Sequence, residues 1–256
     1  MPEAIVTERI DAVGVIRLNR PESLNTLNLA LLEQIAAAAE RFDTQSEVRC
    51  MLLTGDERAF ASGTDIAELA GASMVEIYQR NPFAQWERLR RVRKPLMAAV
   101  SGYAVGAGCE LMLACDVIIA SETTRLGLPD VGMGSLPGGG GTQRLTRTVG
   151  PARAMDLILT GRMITAREAL ALGLVSRVVP REQYYREALA VCRELAQRPP
   201  LALQMAKDAI RQASELPLAA GLAYERNLYT LLFATADQRE GLRAFLEQRP
   251  AVFFGR

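Results

Sequence analysis

The stretch from Lys94 to Asp130, KPLMAAVSGYAVGAGCELMLACDVIIASETTRLGLPD, constrains this chain more than any other. It opens as an apolar strand, Leu96 to Val100, and turns at Gly102, Gly106 and Gly108. A short helix follows with Glu110 in its first turn, then a second apolar strand, Val117 to Ala120. Asp130 ends it between Pro129 and Val131. Two acids in apolar company need a reason, because Glu and Asp are almost never fully buried without a partner. Gly106 and Gly108 allow close backbone approach, and the first N–H groups of the next helix have no partner inside it. Free backbone donors beside a shielded acid suit a reaction in which charge builds on a carbonyl oxygen while a proton moves nearby. Taken singly, Glu110 could be an acid favoured by a helix N-terminus and Asp130 a turn residue.

The 256 residues contain no histidine. That removes Ser-His-Asp hydrolysis, Cys-His proteolysis and histidine-based metal sites, and leaves acid–base work to carboxylates, lysine, tyrosine or cysteine. Cys50, Cys109, Cys115 and Cys192 have no C-x-x-C spacing and sit in apolar runs, so they read as reduced core thiols of a cytoplasmic protein with no zinc site. Thirty basic and 29 acidic residues leave a net charge of +1, which supplies no overall field for nucleic acid or anionic membrane. The basic run Arg88 to Lys94 reads as the solvated face of a helix end, with a phosphate-rich ligand as the alternative. MPEAIVTERI carries no secretory pattern, and Glu110, Asp116 and the glycines spoil residues 98–120 as a membrane span.

The rest of the chain repeats the same grammar. Residues 4–10 and 13–18 suggest a hairpin around Asp11 to Gly14, followed by a helix over 29–42 and a buried strand over 48–54. Ala59 to Ile66 supplies a second glycine turn into a helix start near Asp65, making the Thr64 N–H a second candidate donor. One helical segment is expected from Met74 to about Arg93. After Asp130 a glycine loop opens a helix. It lacks the lysine of a phosphate loop, and neither Gly106-Ala-Gly108 nor Gly132-Met-Gly134 has a third glycine in place, so it reads as the lining of a ligand cavity. A helix over 151–160, a capping box Thr165 to Glu168 and a strand over 174–179 complete the α/β part. From Glu182 onward only amphipathic helices remain, at 182–197, 200–213, about 216–235 and 237–247.

Asn19-Arg-Pro, Leu24-Asn25, Phe60 to Ile66, Lys94-Pro95, Gly102 to Leu111, Ala114-Cys-Asp116 and Gly140 to Leu145 resemble, in order and with matching gaps, the enoyl-CoA hydratase/isomerase (crotonase) family. The resemblance covers essentially the whole chain. The tail is most similar to the branch that acts on 2,3-dehydroadipyl-CoA in bacterial phenylacetate breakdown. It implies an α/β, crotonase-like spiral of β-β-α units over 1–195 and a C-terminal helical trimerisation region over 196–256, assembled as a homotrimer or a dimer of trimers. It further implies a hydratase for trans-2-enoyl-CoA thioesters that needs no separate cofactor, because coenzyme A is part of the substrate.

Within that resemblance, the N–H groups of Thr64 and Ala107 form the oxyanion hole. Glu110 and Asp130 hold a water between them, and the Gly138 N–H helps place it. The backbone around Leu24, Thr26, Ala61, Gly63, Asp65 and Ile66 receives the CoA moiety, and Tyr229 reaches the CoA of a neighbouring subunit. The best-known hydratases carry glutamate where Asp130 stands, one methylene, or about 1.5 Å, longer. Some family isomerases use an aspartate there as their single base, so a double-bond isomerase with Asp130 as base is the alternative. A non-catalytic member binding CoA or RNA is a third. A lysine that often follows in the tail is replaced by Gln248, with Arg249 as the candidate substitute.

Overall fold

The computed structural model describes residues 3–256. The chain begins with a hairpin, β1 (Ile5–Ile10) and β2 (Val13–Leu18), in which Ile10 pairs with Val13. The connection is therefore only Asp11-Ala12, tighter than the expected four residues. Helix α1 (Leu29–Thr44) starts where the Asn28 side chain accepts the Leu31 N–H at 2.8 Å. After it, successive turns of chain each lay one strand in a large sheet and one in a small sheet.

The first turn contributes β3 (Cys50–Thr54), β4 (Ala59–Ala61) and the helices α2 (Ile66–Leu69), α3 (Met74–Arg80) and α4 (Ala84–Arg90). The second gives β5 (Leu96–Val100), β6 (Tyr103–Val105) and α5 (Ala107–Leu113). The third gives β7 (Val117–Ser121), β8 (Arg125–Gly127), α6 (Gly141–Val149) and α7 (Pro151–Thr160). β9 (Ile164–Thr165), α8 (Ala166–Ala171) and β10 (Arg177–Val179) close the spiral. The large sheet runs β1-β2-β3-β5-β7-β10, parallel except for β1, and the small sheet runs β4-β6-β8-β9.

Every residue of β3 and β5 is buried, as a parallel sheet covered on both faces requires. One face packs Val15, Leu52 and Met97 under α9 (Tyr184–Ala196), through Ala188 and Cys192. The other packs Ile16, Leu53 and Ala98 with α1 and α5, through Ile35 and Leu111. Three helices follow: α10 (Pro200–Gln212), α11 (Leu218–Leu232) and α12 (Ala236–Leu246). Asp116 ties them to the sheet. It accepts the Leu96 N–H at 2.8 Å and pairs with Lys207 at 2.6 Å and Arg211 at 3.0 Å, both from α10.

Several expectations need correction. The helix expected over Met74 to Arg93 breaks at Asn81-Pro82, where Asn81 takes φ 41° and proline disfavours helical backbone before it. The strand expected over 174–179 is three residues long. At Thr165 only half of the capping box forms, because the Glu168 carboxylate pairs with Arg162 instead. The basic run is not simply solvated. Arg88 pairs with Glu40, Arg93 with Asp43, and the buried Lys94 ammonium donates to Phe42 O at 2.8 Å and Gln45 O at 2.6 Å, capping α1. Cys50, Cys109, Cys115 and Cys192 are all buried free thiols.

Candidate active site

Two glycine corners meet at the centre of the spiral. At the first, the segment 24–27 runs beside 62–65: the Ser62 N–H donates to Leu24 O at 3.0 Å, the Leu27 N–H to Gly63 O at 2.7 Å and the Asp65 N–H to Leu27 O at 2.9 Å. Thr64 sits inside this ladder, bridged to Leu27, and its N–H takes no part in these bonds. Leu24, Thr26, Gly63, Thr64 and Asp65 are thus gathered in one loop pair, with Ala61 at the end of β4 and Ile66 at the start of α2 flanking it. The Asp65 carboxylate is occupied in capping α2, accepting the Ala67 N–H at 3.2 Å.

The second corner is the junction of β6 and α5. Gly106 has φ 51° and ψ −126°, a conformation that side chains oppose, and it makes Ala107 the first helical residue, whose N–H has no partner within the helix. The two corners touch: a Cβ built on Gly106 would lie 3.7 Å from Gly63 Cα. Thr64 and Ala107 each follow one of these two glycines, so both residues lie beside the place where the corners meet. Gly108 lets α5 seat against β4, since a Cβ there would fall 2.0 Å from Ala61 O.

Asp130 lies at this meeting point, and Glu110 sits one turn into the helix that Ala107 opens, close enough to Asp130 for the two charges to interact. Asp130 opens a short 3-10 turn over residues 130–133, and its Oδ1 and Oδ2 lie 3.6 and 3.7 Å from the Cβ built on Gly106. The shorter aspartate arm therefore still reaches the corner, because the turn carries its backbone inward. Asp130 is half-buried rather than buried as the sequence suggested, yet its Oδ2 is sealed from water and has no hydrogen-bond partner. Glu110, in α5, is 2% exposed, and its Oε1 accepts the Gly141 N–H at 2.7 Å. Phe83, just before α4, and Trp86 within it lie against Gly138 and Gly139 of the same glycine loop.

Burial pushes the Glu110 carboxyl above the ordinary carboxylate range. The Gly141 and Gly139 amides oppose that rise, the Asp130 charge adds to it and Arg144 counters it. Burial likewise raises the Asp130 carboxyl. Two carboxyl groups whose charged forms are both disfavoured by burial are suited to exchanging protons with a substrate. The Cys109 thiol, pushed up to about 12 by burial and then by Glu110, is no nucleophile.

Tyr229 stands apart. It lies on α11, 64% exposed with its ring 5.2 Å from that of Phe233, and a single chain does not bring it to the carboxyl groups. The Arg249 guanidinium is held by Glu240 and Glu247, so it is no free substitute for the lysine missing at Gln248. Sequence reasoning missed Gly141 and Arg144. The signal was readable for Gly141, because the first amide of a helix opened by glycines is necessarily unpaired within that helix. Among the described residues no helix is long and apolar enough to cross a membrane, and no cluster of three or more His, Cys, Asp or Glu could hold a metal ion.

Comparison with known proteins places the chain in a family. The family model for enoyl-CoA hydratase/isomerase matches residues 8–256. A probable enoyl-CoA hydratase of Rhizobium meliloti (strain 1021) is 49% identical over 98% of both chains. The 2,3-dehydroadipyl-CoA hydratase of Escherichia coli (strain K12) is 46% identical over all of both. The crystal structure of an enoyl-CoA hydratase subunit I of Geobacillus kaustophilus HTA426 superposes with a TM-score of 0.97 at 45% identity, covering 99% of each chain. The spiral of β-β-α turns is thus the crotonase fold, and the chain belongs to the enoyl-CoA hydratase/isomerase family.

Proposed function

We propose that this chain is an enoyl-CoA hydratase, adding water across the 2,3 double bond of a trans-2-enoyl-CoA to give a 3-hydroxyacyl-CoA. In this reading the thioester oxygen enters the corner between the Thr64 and Ala107 N–H groups, which stabilise the enolate as it forms. Loss of one such donor typically costs about 2.7–4 kcal/mol. Glu110 takes a proton from water as the water oxygen bonds to C3, and Asp130 gives its proton to C2. Exchange with solvent then returns both acids to their starting states. The Gly138 N–H helps hold the water.

The observation that carries this reading is the unequal pair of acids around one corner: Glu110 oriented by the Gly141 amide, Asp130 with an unmet oxygen. An isomerase needs only one base, whereas Glu110 is a second acid, buried and held by the Gly141 amide. The relatives named as hydratases favour hydration over isomerisation. Because the Escherichia coli relative is named for 2,3-dehydroadipyl-CoA, that thioester belongs in the substrate panel beside crotonyl-CoA and longer enoyl-CoAs.

Coenzyme A enters as part of the substrate, with no separate cofactor, and rests on the backbone of Leu24, Thr26, Ala61, Gly63, Asp65 and Ile66. Tyr229 is exposed as a residue reserved for a neighbour's CoA would be. Phe233, Leu242, Phe245 and Leu246 are exposed on or beside α11 and α12, in keeping with residues 196–256 forming a trimer or a dimer of trimers. Four buried free thiols fit a cytoplasmic setting. Purified protein is expected to remove the ultraviolet absorbance of crotonyl-CoA and to yield the 3-hydroxy product. Conversion of a 3-enoyl-CoA to its conjugated isomer with no hydroxy product would overturn the reading.

A further inference from the structure

Beyond the two acids, one cation stands behind the site with no ion pair of its own. Arg144, the fourth residue of α6, is half-buried, and no carboxylate among the described residues lies within salt-bridge distance of its guanidinium. Its Nη1 donates to Gly139 O at 2.7 Å and its backbone N–H to Gly140 O at 2.8 Å. The guanidinium therefore grips the loop whose next amide, that of Gly141, holds Glu110. Gly140 makes room for this grip. Its φ is 106°, and a Cβ there would fall 2.1 Å from Arg144 Nη1.

A half-buried charge needs compensation from somewhere. Burial disfavours the charged guanidinium, and the largest favourable charge acting on it is Glu110. Arg211 opposes it, while Glu87 and Cys115 add weaker support. Glu110 in turn feels the opposing charges of Asp130 and Arg144, with Cys109 beside it in the helix. Cation and carboxylate are thus counter-charges separated by a glycine loop rather than a contact pair.

Taking Glu110 as the base in the reading above, we propose that Arg144 is a positioning residue for it. Its guanidinium clamps the Gly139–Gly141 backbone that orients the carboxylate and places a fixed positive charge behind it. Arg144 acts through the loop and touches no reacting atom. Lysine could keep the charge but not the planar fork that reaches a carbonyl at a set angle.

The test uses the full-length protein and crotonyl-CoA. Turnover by the wild type and its loss in Glu110→Gln first establish the reading on which this inference depends. A failure there is separate from a failure of the inference. Arg144→Met is then expected to lower kcat about ten- to a hundredfold with KM nearly unchanged, and to move the acidic limb of the kcat/KM profile to higher pH. Arg144→Lys is expected to keep that limb near the wild-type position and to recover part of kcat. If the methionine variant does not fold by circular dichroism, Arg144→Gln keeps a donor for Gly139 O and tests the charge alone. An acidic limb that stays at the wild-type pH in the neutral variant, whatever its rate, would overturn the proposal.

Discussion

Glu110 and Asp130 are neighbouring acids, and the chain treats them differently. Glu110 is built into a helix, 2% exposed, with one oxygen fixed by an amide of a second helix. Asp130 begins a 3-10 turn whose neighbours Met133 and Leu136 are 60% and 65% exposed, and its Oδ2 has no partner. One acid is oriented before substrate arrives. The other is left with an oxygen that no group of the protein satisfies. In the proposed mechanism a base must be oriented toward its water from the start, whereas an acid that delivers its proton to C2 can wait for the carbon to be placed.

The largest effect should come from removing either acid. Glu110→Gln and Asp130→Asn are each expected to lower kcat by about 10²–10⁴, read from crotonyl-CoA absorbance. A loss in only one of them would reduce the pair to a single functional group. Next is the support of the fixed acid. A Cβ on Gly141 would lie 2.9 Å from Glu110 Oε1 and 2.8 Å from Pro137 Cβ. Gly141→Ala is therefore expected to cost about ten- to a hundredfold in kcat, whereas a substitution at the exposed Leu136 should leave kcat close to wild type.

A smaller effect distinguishes the acids in stability. The Glu110 carboxyl is raised by burial, so below the ordinary carboxylate range it is neutral in both folded and unfolded chains and carries no charge penalty. As pH rises through its folded value that stability is lost. Glu110→Gln should therefore raise Tm at neutral pH, with the gain fading below about pH 4. Calorimetry across pH checks this, and an unchanged Tm at pH 7 would contradict a buried, penalised carboxylate. Asp130→Asn should move Tm less, since Asp130 is only half-buried. The smallest effect is expected from Arg249→Ala, whose partners Glu240 and Glu247 lie at the protein surface. Stability should change little and kcat not at all.

The same contrast separates what the residues announce from what they conceal. The long strands of the large sheet and the tail helices are legible because apolar runs and helical spacing repeat over enough residues to register. β4, β6, β8 and β9 are two or three residues long, too short for any period, so the whole small sheet stays hidden and Gly102 to Gly108 looks like one turn. The break at Asn81-Pro82 was written in the sequence, but the apolar spacing on either side outweighed it. Glu110 and the two corner amides follow from glycine placement next to helix starts. The Arg144 grip on Gly139 does not, because it depends on where a side chain lands in three dimensions.

The most direct measurement is a crystal structure with the product 3-hydroxybutyryl-CoA bound. The thioester oxygen is expected within about 2.7–3.1 Å of both the Thr64 and Ala107 nitrogens, with the 3-hydroxyl between the Glu110 and Asp130 carboxyl groups. A thioester oxygen bound away from that corner, or a 3-hydroxyl facing neither acid, would contradict it.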